Sequence, residues 1–172
     1  MKVLNIIVTG LAERKKSKLI KGFSDETFKS PEQVAVGKEG KAYTVEFGRA
    51  QVDPQTFLYL AGVPADEQFD FVWERLADGL LGILVVVDTK ADQSGVKELV
   101  ARVKEMTETP FAAVFIGPTD RRDPDATALR KELGIPREEQ VVCGASAGKE
   151  TAKGAVSKLL DLGVKLHKKV TV

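Results

Sequence analysis

The fold is decided by a segment near the N-terminus that reads Lys2-Val3-Leu4-Asn5-Ile6-Ile7-Val8-Thr9-Gly10-Leu11-Ala12-Glu13-Arg14-Lys15-Lys16-Ser17. Its first half, Lys2–Thr9, is rich in β-branched residues and predicts a buried strand. Its second half differs by one residue from the pattern G-x-x-x-x-G-K-[ST], in which backbone N–H groups cradle phosphates between a strand and a helix. Lys15 stands where the second Gly belongs, so the segment predicts a strand–loop–helix unit with an altered anion-binding loop.

Beyond this unit, strand patterns alternate with helix patterns along the chain. Strands are predicted at Lys41–Gly48, Thr56–Ala61, Gly82–Asp88, Phe111–Ile116 and Gln140–Cys143, and helices at Ser17–Phe23, Asp66–Gly79, Ser94–Thr107, Asp125–Leu133 and Lys149–His167. The polar stretch Ser24–Gly40 contains Pro31 and two Gly residues and is interpreted as a long loop. The alternation favours an α/β domain with a mixed, mostly parallel sheet of six strands, in which Lys41–Gly48 is the one antiparallel edge strand.

Composition indicates a single globular domain over residues 1–172. Of the 172 residues, 43% are hydrophobic and 30% are charged, and the formal net charge is +1. This balance argues against nucleic acid or an acidic membrane as a partner. A local basic cluster is nevertheless formed by Arg14, Lys15, Lys16, Lys18 and Lys21, and it is interpreted either as a solvated helix face or as an anion site.

The sequence offers little for metal or thiol chemistry. It has one cysteine, Cys143, and one histidine, His167, so neither an intrachain disulfide nor a Cys/His metal cluster is expected. The N-terminus lacks the apolar core of a secretory signal, and no apolar run approaches the ~20 residues of a spanning helix. We therefore expect a cytoplasmic protein without a membrane span.

A second stretch, Leu58–Trp73 (LYLAGVPADEQFDFVW), resembles the switch II segment of bacterial Ras-like small GTPases, which reads close to L-x-G-T-P-G-Q-x-R-F-x-x-x-W. Gly79–Asp88 is similar to the strand that follows in that family. Over nearly its full length the chain resembles the branch related to the gliding-polarity switch proteins. The resemblance implies a P-loop NTPase fold of the Ras-like type, a three-layer sandwich with about five helices, and a site for GTP or GDP with Mg²⁺.

The phosphate loop and the first switch depart from the family pattern. Lys15 replaces the Gly that lets the backbone approach the phosphates, and a positive φ at this position would strain any residue that has a Cβ. Lys16 and Ser17 could still meet a phosphate and Mg²⁺, with Ser17 as the metal ligand. In switch I, Lys41 or Ala42 stands where the family places the Thr that senses the γ-phosphate.

The other three family elements are altered as well. Asp66, next to Ala65, stands at the position of the Gln that orients the attacking water, so no residue is expected to be catalytic. The guanine-reading N-K-x-D corresponds to Gly117–Asp120, which keeps only the Asp, and S-A-K falls near Ala145. By resemblance, the nucleotide-contacting residues would be Gly10, Arg14, Lys15, Lys16, Ser17, Ala65, Asp120 and Ala145.

These departures favour a pseudo-GTPase that acts as a protein-binding module and needs no cofactor. The resemblance implies a roadblock-type regulator, a related GTPase or a second copy of the chain as partner, bound through the switch II segment and the edge strand Lys41–Gly48. One alternative is a divergent, slow GTPase that binds GTP through Lys16, Ser17 and Asp120 and takes catalytic groups from a partner. Another is an anion site for phosphorylated ligands at the phosphate loop.

Overall fold

Strands and helices alternate along most of the chain. The computed structural model describes the backbone of residues 1–36, 42–66, 69–106, 108–118 and 124–171. The strands are β1 (Lys2–Thr9), β2 (Glu26–Val36), β3 (Ala42–Asp53), β4 (Thr56–Gly62), β5 (Leu80–Asp88), β6 (Phe111–Ile116) and β7 (Val141–Gly144). The α-helices are α1 (Glu13–Phe23), α2 (Asp70–Arg75), α3 (Val96–Met106), α4 (Pro124–Glu132) and α5 (Lys149–Thr171).

All seven strands described belong to one sheet, in the order β2-β3-β4-β1-β5-β6-β7. Strand β1 is central and runs parallel to both β4 and β5, and β5, β6 and β7 continue the parallel arrangement. Strand β3 is antiparallel to both of its neighbours. The end of β1 lies between Gly62 of β4 and Val85 of β5, so the chain leaves the sheet at the carboxyl edge where open α/β sheets place their ligand sites.

The sheet has seven strands rather than the predicted six, because part of the predicted loop Ser24–Gly40 is strand β2. The ring of Phe28 stacks on Phe47 with centroids 5.7 Å apart and meets Tyr59 edge-on at 6.2 Å, which gives this polar stretch an apolar anchor. A register shift between Lys29 and Val34 accommodates the segment around Pro31, a residue that sheets tolerate at their edges.

The position predicted for Lys41–Gly48 at the edge of the sheet is also wrong. Strand β3, which covers most of Lys41–Gly48, is paired on both sides, and β2 forms that edge of the sheet. The prediction of one antiparallel strand holds, but this strand lies one position inside the edge. Lys41 itself falls outside the described residues. The helix predicted at Asp66–Gly79 is shorter than expected at both ends, since α2 covers only Asp70–Arg75. The chain then turns, with Gly79 at φ +74°, and β5 begins at Leu80.

Helices pack on both faces of the sheet and give three layers. One face is covered by α1 and α5, through residues such as Leu19, Ile20 and Leu159, and the other by α2, α3 and α4, through Trp73 and Leu99 among others. The central strands are buried on both faces, which explains their unbroken apolar sequences. None of the described helices has the length and apolarity needed to cross a membrane.

Helix α1 lies close to the sheet because glycines face it. A Cβ on Gly48 of β3 would fall 1.8 Å from Ser24 Oγ and 2.8 Å from a methyl carbon of Ile20. A Cβ on Gly62 of β4 would fall 2.9 Å from the end of the same Ile20 side chain. Helix α1 therefore lies close enough to β3 for Ser17 to contact the side chain of Glu46.

Candidate functional site

The segment between β1 and α1 is a short loop rather than a full phosphate cradle. Gly10 has φ +144°, and a Cβ there would lie 2.4 Å from the carbonyl oxygen of Val86, so only glycine fits where the chain leaves the sheet. Helix α1 begins at Glu13, four residues before the predicted start at Ser17, which leaves only residues 10–12 as loop. Glu, Arg and Lys are good helix formers, and without a second Gly nothing interrupts the helix.

Lys15 is therefore a residue of the first turns of α1. Among the described residues, positive φ is confined to glycines, so the strained backbone that the pattern would require at Lys15 is not formed. Its Nζ lies 3.5 Å from Oδ2 of Asp88, at the carboxyl end of β5. The side chain thus bridges the start of α1 to the neighbouring strand.

Lys16 is buried and has partners within the chain. Only 4% of the residue is exposed, and its Nζ donates to Oε1 of Glu13 at 2.9 Å and to the carbonyl oxygen of Val63 at 3.3 Å. A buried ammonium requires such partners, because removal from water without them is costly. The lysine of the phosphate-loop pattern is thus compensated by a carboxylate three residues before it.

Ser17 is paired in a similar way. Its Oγ lies 2.9 Å from Oε2 and 3.1 Å from Oε1 of Glu46 on β3, and the hydroxyl donates to this carboxylate. Carboxylates therefore contact both side chains that would take a phosphate and Mg²⁺, and negative charge at these positions repels a phosphate. A phosphate bound at Lys16 and Ser17 would therefore share the site with two carboxylates of the same chain.

The segment after β4 is held against α3 by Arg102. The guanidinium donates through Nη1 to the carbonyl oxygen of Ala65 and through Nη2 to Oδ1 of Asp70, both at 2.7 Å. Between them, Asp66 is exposed and its carbonyl oxygen accepts the N–H of Phe69 at 3.0 Å. Sequence reasoning missed Arg102, because it lies 32 residues from Asp70 and no local pattern links the two.

Only some of the remaining predicted nucleotide-contacting residues lie at the same edge of the sheet. The N–H of Gly117 donates to the carbonyl oxygen of Gly144 at 2.9 Å, so the loops after β6 and β7 begin side by side at the same edge of the sheet as Gly10. Ala145 follows Gly144 and is exposed, and Arg14 is exposed on α1. Asp120 lies outside the described residues.

The architecture matches that of a known structure. The G domain of the FeoB iron transporter of T. maritima superposes with a TM-score of 0.59 at 16% sequence identity, over 93% of this chain and 98% of that chain. The chain has the fold of a P-loop GTPase domain. No family model matches the sequence, and no curated protein matches it significantly.

Within this fold, two segments of the candidate site follow the same strands as the phosphate loop and the switch II segment of a G domain. Residues 10–17 follow the central strand where a G domain carries its phosphate loop, and the segment Val63–Asp70 follows β4 where the switch II segment is expected. At 16% identity the likeness extends to the fold, so the chemistry of the site is argued from its own side chains.

Proposed function

We propose that this chain is a pseudo-GTPase: a G-domain scaffold that binds a protein partner and turns over GTP weakly or not at all. In line with its resemblance to the gliding-polarity branch, its setting would be a cytoplasmic signalling assembly. The partner would be a roadblock-type regulator, a related GTPase or a second copy. It would dock on the switch II segment and on the edge strand of the sheet. That edge strand is β2 rather than the predicted Lys41–Gly48.

One observation carries the proposal, namely the pairing of the two nucleotide-site side chains with carboxylates of the same chain. A phosphate that approached Lys16 would meet the carboxylate of Glu13, which lies 2.9 Å from its Nζ. A magnesium ion at Ser17 would lie beside the carboxylate of Glu46, 2.9 Å from Oγ, which would compete with a phosphate for the ion. Because both side chains already have hydrogen-bond partners within the chain, no bound nucleotide is needed to pair them.

The switch II segment supports the same proposal. Its start is held by Lys16, which donates to the carbonyl oxygen of Val63 at 3.3 Å, and its later part by Arg102 at Ala65 and Asp70. In nucleotide switches, this segment is ordered by contacts to the γ-phosphate and released on hydrolysis. Here protein groups supply the restraints, which favours one constant surface over a two-state switch.

The test is the nucleotide content and turnover of the purified chain. After denaturation, the supernatant is analysed for guanine nucleotides, and hydrolysis of GTP is measured with Mg²⁺ present. We expect no stoichiometric GDP or GTP and no turnover above the buffer. Stoichiometric release of GDP, or steady hydrolysis that is lost in Lys16→Ala, would overturn the proposal.

A divergent, slow GTPase remains the second candidate, and one contact favours it. Ser17 Oγ and the carboxylate of Glu46 lie side by side, and oxygen ligands of these two kinds are those that Mg²⁺ prefers. This reading predicts GTP binding that requires Mg²⁺ and weakens in Glu46→Gln. The pseudo-GTPase predicts that Glu46→Gln gains affinity or leaves it unchanged, because a repelling charge is removed.

A further inference from the structure

The solvent side of α1 is cationic along its length. Arg14, Lys18 and Lys21 are spaced at i, i+4 and i+7, so they share one side of the helix, and we call them the α1 stripe. All three are exposed, and in the part of the chain that the structure describes none of them forms an ion pair. They differ in this from Lys15 and Lys16, which are paired with Asp88 and Glu13.

The α1 stripe is unfavourable for the helix that carries it. Arg14 and Lys18 are like charges four residues apart, and Lys18 and Lys21 are like charges three apart, which destabilises a helix. Arg14 also places a cation in the first turn, where the helix dipole favours an anion. A sequence selected for helix stability alone would place carboxylates among these positions.

The carboxylates at the two ends of α1 are engaged elsewhere. Glu13 contacts Lys16, Asp25 accepts the N–H of Gln51 at 3.0 Å, and Glu26 pairs with Arg49. Among the described residues, none of the acidic side chains forms an ion pair with a member of the α1 stripe. The charge of the α1 stripe is therefore available to a partner.

Helix α5 begins next to α1. A Cβ on Gly22 would lie 3.1 Å from the carbonyl carbon of Gly148 and from the N of Lys149, so α1 packs directly against the start of α5. Lys149 and Lys153, in the first turns of α5, are exposed. Two further exposed cations thus begin α5 next to the end of α1, together with the exposed carboxylate of Glu150.

We propose that the α1 stripe is a docking surface for an acidic segment of a partner protein. The stripe is about 10 Å long, at a rise of 1.5 Å per residue, and it ends at Glu13 on one side and at Asp25 and Glu26 on the other. A narrow acidic segment fits between these carboxylates. A bilayer surface or a nucleic-acid backbone would extend over them, and the net charge of +1 supplies no broad attraction for either. The surface does not depend on whether the phosphate loop binds a nucleotide.

The test uses a fluorescent oligoglutamate peptide as the probe and follows its anisotropy at low salt. The variant Lys18→Glu/Lys21→Glu reverses two charges of the stripe. The variant Lys97→Glu/Lys131→Glu makes the same change in net charge at two exposed lysines of α3 and α4. We expect the chain and the α3/α4 variant to bind the peptide, and the α1 variant to bind it at least about tenfold more weakly, since exposed charges interact modestly but add over several pairs.

Three outcomes would overturn the proposal. One is no binding of oligoglutamate by the unmodified chain, and another is equal weakening in both double variants, which would reflect net charge alone. The third is tighter binding to phosphatidylserine vesicles or to RNA than to the peptide. Thermal melting of each variant controls for folding, and Lys18→Ala/Lys21→Ala repeats the comparison if the Glu variant melts early. Because the probe contains no nucleotide, failure here leaves the nucleotide experiments of the previous section unaffected.

Discussion

The floor of the site and its rim differ in what their residues contact. The floor is formed by β1, β5 and β6, where side chains such as Ile7, Val85 and Val114 are 0% exposed and pack between two helical layers. The rim is formed by Glu13, Lys16, Ser17 and Glu46, four polar groups that pair with one another or with the backbone. The difference teaches that the fold is stabilised by apolar burial beneath the site, whereas the polar groups of the rim are paired within the chain. Substitutions in the packed interior should therefore change stability, and substitutions at the rim should change binding.

The largest expected effect is the truncation of Trp73 on α2. It is 5% exposed in the core cluster, so Trp73→Ala should lower the free energy of unfolding by about 3–5 kcal/mol, measured by denaturant titration. Its Nε1 has no hydrogen-bond partner in the structure as described, so Trp73→Phe should cost clearly less. Equal, small effects of both variants would show that Trp73 is not packed in the interior.

A substitution at Gly10 tests the packing at the point where the chain passes from the floor to the rim. We expect Gly10→Ala to destabilise the chain by about 2 kcal/mol or more, because φ is positive and the new Cβ would meet the Val86 carbonyl oxygen at 2.4 Å. Gly134→Ala is the matched control, since its φ is +75° but no atom lies within 4 Å of the new Cβ, and its cost should stay near 1 kcal/mol. Thermal melting compares the two, and a smaller effect at Gly10 would contradict the close approach.

Arg102 tests whether the switch II segment is held by the protein itself. Arg102→Ala removes both 2.7 Å contacts, and we expect a loss of about 1 kcal/mol, since both side chains of the ion pair are partly exposed. Amide hydrogen exchange should rise at Ala65, Asp66, Phe69 and Asp70 and stay unchanged in β5. Arg102→Lys keeps the charge but not the two-pronged donor, so it should rescue little. Unchanged exchange in both variants would show that other contacts hold the segment.

The smallest expected effect concerns pH. The backbone N–H of Gln55 and then the hydroxyl of Thr56 hold the pKa of Asp53 below its ordinary value. A carboxyl whose pKa falls on folding contributes stability above its unfolded pKa, and that contribution is lost as pH falls through the folded pKa. Asp53→Asn should therefore slightly flatten the loss of stability below about pH 4, in urea titrations at several pH values. A steeper loss in the variant would contradict the direction of the shift.

The floor could be predicted from the sequence, while most of the rim could not. Predictions for β1 and β6 match the structure to the residue. Strand β6 is an unbroken apolar run buried on both faces, and β1 ends in the buried run Ile6–Val8 shortly before Gly10. Strand β2 was missed, since an exposed edge strand that tolerates Pro31 has the composition of a loop. The early start of α1 follows from one Gly position occupied by Lys15, and the motif pattern itself carries no information about helix length.

The contacts of the rim depend on pairs far apart in the chain. Ser17 and Glu46 are 29 residues apart, and Asp70 and Arg102 are 32 apart. Neither pair has a local signature, because the side chains meet only when α1 lies on β3 and when α3 lies beside the switch II segment. Sequence reasoning could name Lys16 and Ser17 as site residues, but it could not tell that carboxylates of the same chain would contact them.

The most direct test of the account is a calorimetric titration of GTP with Mg²⁺ into the purified chain and into Glu13→Gln/Glu46→Gln. If Lys16 and Ser17 stay paired with Glu13 and Glu46, the unmodified chain should show no saturable binding of GTP in the micromolar range. A Kd of 1 μM corresponds to a binding free energy of about −8.2 kcal/mol. The double variant should bind more tightly than the unmodified chain or equally weakly. Binding of GTP by the unmodified chain with a Kd of about 1 μM or below, weakened by the loss of Glu46, would contradict the account.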